Sequence, residues 1–472
     1  MLIHAAPARG LIRTGRQPVT WATDTKPQAQ AMGEPRALTM AILLLVLPMF
    51  GQSFYYLLDF PIPYLLSKVW PFLMLPLSIY ALVTYELPYK ALFAALLAYV
   101  LGIAPLMGML HLGNGFADAL ATTVKVWPFT HYFALAALLF WLRPTPRMVS
   151  RAFIILGVAT YVGMWGLWIL IPASWYGSDP SVGKLLPYEI ERGYRIYMPM
   201  FFGILFLFYL ARRFCQRWEW WILLLLLSGF GSLLYIYKQR TSILAALIVV
   251  SVGIVSSTRG RLRRFLVAIS LTAAACAVLV VAGTFFDNVV QSFGGSLSVR
   301  LRSIDRAINF LGDDPLRWMF GVGATTRLGA ITLADIFNDH QFYLADIGWL
   351  GIVFEYGVLS AFLLAGVYLA GLLFTWKTAR SSGDPLLRAL ADYTFFLFLT
   401  STVYSFVFTP GELATIVAFA AYLQRYWASA PVAAPVSDRI VPGRGTNRFF
   451  QGPSSRSRHA EALSETHRPS RL

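Results

Sequence analysis

The chain has 472 residues, 57% of them hydrophobic, 15% aromatic and only 13% charged. A soluble domain carries roughly twice that charged fraction, so a soluble enzyme or scaffold is excluded. The formal net charge of +16 does not point to nucleic acid either. The excess basic residues fall in two tails and in short loops beside apolar runs, the pattern of positive-inside topology and anionic-lipid contact.

Residues 1–37 form a polar, Pro-containing segment, expected to be a disordered cytoplasmic tail. No cleavable signal is expected, because the first apolar run is long enough to remain as an anchor. Apolar runs of bilayer-crossing length, about 17–25 residues, then recur from Leu38 to Trp427. The ten-residue alternation of a transmembrane β-barrel is not seen (~10). The expected fold class is therefore all-α, a polytopic membrane protein. Candidate spans lie at 38–58, 62–83, 89–109, 127–142, 152–172, 196–210, 220–237, 242–257, 264–286, 343–375, 391–409 and 412–428, twelve in all. The 343–375 run is too long for one straight crossing, so a short re-entrant or tilted piece is expected before the crossing helix. Residues 429–472, rich in Pro, Ser and Arg, are expected to be a disordered tail.

Orientation follows from Lys and Arg bias. With the N-terminus inside, the inner loops read "RPTPRMVSR", "ARRFCQRWE", "TRGRLRR" and "WKTARSSGDPLLR". Both termini are thus expected in the cytoplasm, with a large extracytoplasmic loop at 287–342. Cys215 falls in an inner loop and Cys276 in a span, so no disulfide joins them.

The informative basic residues are those left on the outer side. Lys125 is one. Lys184, Arg192 and Arg195 follow in "SVGKLLPYEIERGYRIYMP". Arg192 and Arg195 can pair locally with Glu189 and Glu191, or can serve a ligand. Lys238 and Arg240 occupy the tight turn "YIYKQRTSILAAL". Two cations in a short outer turn oppose the topological bias. Headgroup contact, a pair with Glu189 or Glu191, or diphosphate binding would each compensate. In "SLSVRLRSIDRAINFLGDDP", Leu297, Leu301, Ile304, Ile308 and Leu311 recur at helical spacing, predicting an amphipathic helix over 297–311 on the membrane surface. Gly312, Asp313, Asp314 and Pro315 end it. "PLRWMFGVGATTR" then gives a Gly-punctuated loop, weak evidence by itself for phosphate binding.

Histidine is scarce, six in all. His131 lies inside the fourth span, where packing or hydrogen bonding explains it. His111 and His340 face outward. His340 follows Asn338 and Asp339 at the start of an apolar segment, and an imidazole is the usual general base near neutral pH. Asn338 or Asp339 can act simply as helix N-caps. There is no metal-ligand spacing and no nucleotide loop, so no metal or cofactor is expected. An extracytoplasmic enzyme has no ATP supply; its substrate must arrive activated. A lipid-linked sugar diphosphate meets that requirement.

"ERGYRIYMP", "KQRTSILAALIVV", "DDPLRWMFGVG" and "DHQFYLADIGWLG", in this order and on one expected face, resemble the O-antigen ligase and polysaccharide polymerase superfamily of bacterial inner-membrane proteins. The resemblance covers roughly residues 185–360. Gln341 stands where that family usually has Asn, Asp346 where Glu is commoner, and Gln239–Arg240 where it has Ser–Arg. The resemblance implies a C-type membrane glycosyltransferase fold and metal-independent, inverting glycosyl transfer. The donor implied is an undecaprenyl-diphosphate-linked glycan, and the acceptor a glycan or lipid. Arg195 and Arg240 would neutralise the diphosphate leaving group, and His340 would orient or deprotonate the attacking hydroxyl. Arg192, Lys238 and Asp346 would support them. A polymerase of repeat units in exopolysaccharide or O-antigen synthesis, working with a chain-length regulator, is the expected activity. A ligase to lipid or protein, or a secondary transporter or flippase, is the alternative. No nucleic-acid partner is expected.

Overall fold

The computed structural model describes residues 36–55, 57–177, 185–189, 192–258, 294–324, 333–338, 342, 344–403 and 410–429. In chain order the helices are α1 (Arg36–Phe50), α2 (Pro61–Leu73), α3 (Leu75–Thr84), α4 (Lys90–Ala98), α5 (Ala104–Leu112), α6 (Phe116–Thr122), α7 (His131–Leu142) and α8 (Pro146–Leu170). After a two-stranded ribbon, β1 (Tyr188–Glu189) and β2 (Gly193–Tyr194), come α9 (Phe201–Gln216), α10 (Trp220–Ser232) and α11 (Arg240–Ser257). The last are α12 (Gly294–Leu311), α13 (Pro315–Phe320), α14 (Leu333–Phe337), α15 (Trp349–Ser382), α16 (Pro385–Thr400) and α17 (Pro410–Ser429). The fold is all-α. Among the described residues, six helical stretches are long and apolar enough to cross a membrane: Pro61–Thr84, Lys90–Leu112, Pro146–Leu170, Trp220–Tyr237, Arg240–Ser257 and Trp349–Ser382. The expected span at 264–286 lies outside the described residues.

Three helices form the centre. Phe201–Ala211 of α9, most of α7, and Leu413–Leu423 of α17 are buried all round, as expected of helices without a polar face. The helices around them turn large apolar residues outward, among them Leu45, Ile62, Val83, Ile169, Leu170, Leu224 and Phe362. Water would not tolerate so continuous an apolar perimeter; a bilayer does.

The long 343–375 run is interrupted. Gly357 has φ 77 and ψ 170, so α15 consists of a short first piece and a longer second one. A break of this kind frees carbonyls that must find donors away from water. The loop after α13 supplies them: the Val322 N–H donates to the Phe354 carbonyl at 2.8 Å, and the Gly323 N–H to the Glu355 carbonyl at 3.1 Å. The approach is close enough to require glycine. Gly323 has φ 94, and a β-carbon there would overlap the backbone of Gly108. The "GVG" motif therefore packs backbone on backbone, and the glycines serve that close approach.

The amphipathic helix expected over 297–311 is present as α12, and only part of its apolar row turns into the protein. Leu301 is 52% exposed and Ile308 43% exposed, whereas Ser303, Ala307 and Leu311 are buried. The inward row packs with Val322, Phe342, Leu344, Ile347 and Phe354. Small residues face inward because the helix lies close against the loop and the first piece of α15. Asn338 also departs from expectation. It adopts φ 47 directly after α14, so it ends a helix and does not cap the start of one.

Candidate functional site

The two ends of the bundle differ in chemistry. At one end Arg212 of α9 holds Asp392 of α16 through two hydrogen bonds of 2.5 Å, and donates also to the Gly253 carbonyl at 2.8 Å and to Ser257 at 3.0 Å. This fastens the C-terminal ends of α9 and α11 to α16. Gln216 donates to the Gly383 carbonyl, at the far end of α15. By direction of the helices, the opposite end holds the start of α11 at Arg240, the C-terminus of α16, and the first piece of α15. Gly348 lies against the Thr402 carbonyl there. Asp346, in the 3-10 turn Leu344–Ile347, therefore shares an end with Arg240.

At this second end the chain folds into a narrow ribbon. Tyr188 pairs with Tyr194 and Glu189 with Gly193, antiparallel. Residue 177 runs alongside: the Tyr188 N–H donates to the Gly177 carbonyl at 2.8 Å, and the Gly177 N–H to the Leu186 carbonyl at 3.0 Å. The ribbon is joined to the turn after α10 by the Ile196 N–H, which donates to the Ile236 carbonyl at 3.2 Å. Lys238 completes the join. Its Nζ donates to the Arg192 carbonyl at 3.1 Å and the Tyr194 carbonyl at 2.9 Å, and lies 5.7 Å from the centre of the Trp168 ring. Its backbone has φ 54, a conformation that costs a non-glycine residue about 1–2 kcal/mol.

Glu189 sits between the two arginines of the ribbon. It pairs with Arg195 directly and with Arg192 Nε at 3.4 Å. Such partly exposed pairs contribute only about 0–1 kcal/mol. The sequence expectation that Glu189 could pair locally with them describes the geometry, and Lys238 and Arg240 stand at the same end of the bundle. Arg240 is exposed and opens α11, whose N-cap Gln239 makes no capping hydrogen bond through its side chain. The amides of the first helical turn and the helix dipole add further positive potential. The group is suited to an anion of more than one charge. Burial pushes the Tyr176 hydroxyl beside this ribbon above its ordinary range.

Of a second polar group, sequence reasoning named Lys125 among the outer cations but not its partner, Glu355. Lys125 Nζ donates to Glu355 Oε1 at 2.6 Å, with the Glu355 side chain only 4% exposed. Glu355 lies two residues before the break in α15, and the Tyr99 hydroxyl donates to the Tyr356 carbonyl at 2.8 Å beside it. A signal existed. Glu355 and Asp346 are the acids of the 343–375 run, and an acid within an apolar run needs a partner. The residues between Lys125 and Glu355 in sequence hide which partner it is.

His340, the expected catalytic base, lies outside the described residues, as do Asp339, Gln341, Glu191 and Lys184. His131 is buried and its Nδ1 lies 3.2 Å from the Phe50 carbonyl, a hydrogen-bonding role. Among the described residues no three His, Cys, Asp or Glu side chains are grouped as metal ligands. Arg192, Arg195, Lys238 and Arg240 are brought to one end, and Asp346 to the same end on a different element. No protein-family model matches the chain, and no curated protein is significantly similar to it.

Proposed function

We propose that the protein is a membrane glycosyltransferase that polymerises polyprenyl-diphosphate-linked oligosaccharide repeats at the outer face of a bacterial inner membrane. The observation that carries this reading is the Lys238 bridge to the Arg192 and Tyr194 carbonyls. It gathers two outer loops into one cationic centre beside the N-terminus of α11. The sidedness rests on charge: Arg143, Arg147, Arg151, Arg213 and Arg217 mark the Arg212 end as cytoplasmic.

In the reaction the acceptor hydroxyl oxygen attacks the anomeric carbon of the donor sugar from the face opposite the diphosphate. The bond from that carbon to the diphosphate oxygen breaks, and the configuration inverts. The hydroxyl proton passes to His340. Polyprenyl diphosphate leaves carrying the negative charge that had been shared in the glycosyl bond. Arg195 and Arg240 stabilise that charge, so their contribution is larger in the transition state than in the bound donor. Arg192 and Lys238 hold the ribbon and add to the field. Asp346 orients the histidine or braces the turn before Gly348.

Proteoliposomes holding the full-length protein and undecaprenyl-diphosphate tetrasaccharide test the reading. The expected products are a ladder of glycans in whole repeats and free undecaprenyl diphosphate. Transfer seen only when a lipid A-like or peptide acceptor is added would make the protein a ligase. Movement of intact donor across the bilayer with no bond change would overturn the proposal in favour of transport.

A further inference from the structure

The cationic ribbon also carries an aromatic corner. Tyr188 and Tyr194 stand directly opposite one another in the ladder, hence on one face of it. Their ring centroids are 4.9 Å apart and their planes tilted by 46°. Tyr176, on the adjoining segment, meets Tyr194 edge to face at 5.1 Å. The corner remains open: Tyr188 is 38% exposed and Tyr194 42% exposed.

Packing alone does not account for exposed rings, and their place is unlike that of an interfacial belt. Belt residues anchor the ends of membrane helices. These rings stand on a two-stranded ribbon and its adjoining segment, not on a helix, and they touch one another. An aromatic ring with a hydroxyl tip offers an apolar face and a polar edge, matching a pyranose, which has a C–H face and a rim of hydroxyls. The neighbouring charge selects among sugars. The Tyr194 carbonyl itself accepts from Lys238 at 2.9 Å, and Arg195 is the next residue. A sugar stacked on Tyr194 is therefore placed one residue from the centre suited to a polyanion.

We infer that Tyr176, Tyr188 and Tyr194 form a stacking subsite for a pyranose ring of a glycan carried on a diphosphate. This inference rests on the proposed function, and it adds a sugar-recognising surface to the anion site.

The test uses full-length protein in nanodiscs and two probes, undecaprenyl diphosphate and undecaprenyl diphosphate bearing a single N-acetylhexosamine. The wild type is expected to bind the sugar-bearing probe about tenfold more tightly, the scale of a tyrosine hot spot. Tyr194→Ala should erase that difference while leaving the affinity for the bare probe within about twofold. Tyr194→Phe, which keeps the ring, should preserve it, and this separates stacking from loss of fold. Equal weakening of both probes by Tyr194→Ala, or no change in either, overturns the subsite. Fluorescence of Tyr194→Trp quenched by brominated phospholipid, and not relieved by the sugar-bearing probe, places the rings in the bilayer and also overturns it. Failure of the wild type to bind either probe overturns the diphosphate reading together with the subsite. A sugar preference that is absent while the bare probe binds removes the subsite alone.

Discussion

Arg240→Ala is expected to reduce glycan assembly by about 10²–10³-fold, the effect of removing one preorganised electrostatic contact from a transition state. The protein level and melting temperature should stay at wild-type values. The expectation follows from where Arg240 stands. It is exposed at the first position of α11, so truncation removes a charge without opening a cavity. Lys238, two residues earlier, remains to hold the ribbon. Arg240→Lys should recover part of the rate, since a point charge replaces a planar fork of donors. The measurement is the initial rate of undecaprenyl diphosphate release at saturating donor. Wild-type rates in the alanine variant would remove Arg240 from the reaction.

Glu355→Ala should destabilise the fold by about 3–5 kcal/mol, the usual cost of stripping one partner from a buried ion pair. The pair is short, 2.6 Å, and Glu355 is almost wholly covered. Its loss removes the carboxylate that meets Lys125 Nζ, next to the point where α15 is broken and the "GVG" loop docks. The Lys125→Met/Glu355→Leu double variant should regain most of that stability, because no uncompensated charge remains. Equilibrium unfolding in mixed micelles of Lys125→Met, Glu355→Leu and the double variant measures the coupling directly. Additive losses would mean that the pair is not coupled.

Much of the helical frame was legible because bilayer length and apolar composition are local properties. The stretches 146–170, 220–237 and 240–257 follow from them. The limits that moved did so for identifiable reasons. The expected span 38–58 is helical only to Phe50, since Gly51 packs closely against Phe201 and Gln52 takes φ 55. The span at 62–83 keeps its limits as Pro61–Thr84, with a turn at Met74 between α2 and α3. The span expected at 196–210 becomes Phe201–Gln216, because Asp392 neutralises Arg212 just beyond the apolar run.

The candidate site was legible in its parts and hidden in its assembly. Arg192, Arg195, Lys238 and Arg240 stood out as cations on the unfavoured side of the expected topology. That Lys238 bonds to backbone carbonyls of the ribbon, and not to Glu189, depends on a left-handed turn that no periodicity signals. The tyrosine pairing across β1 and β2 depends on a register of only two residues per strand. Lys125 and Glu355 are too distant in sequence for either to announce the other.

The central claim is that this centre binds a diphosphate, and titration of the purified full-length protein with polyprenyl phosphates tests it most directly. Undecaprenyl diphosphate should bind more tightly than undecaprenyl monophosphate, with an affinity that falls as salt screens the cations. Lys238→Ala and Arg240→Ala should each weaken the diphosphate complex by about tenfold or more, the scale of a lost charge-assisted contact. Equal affinity for the two lipids, unchanged in both variants and insensitive to salt, would contradict the account.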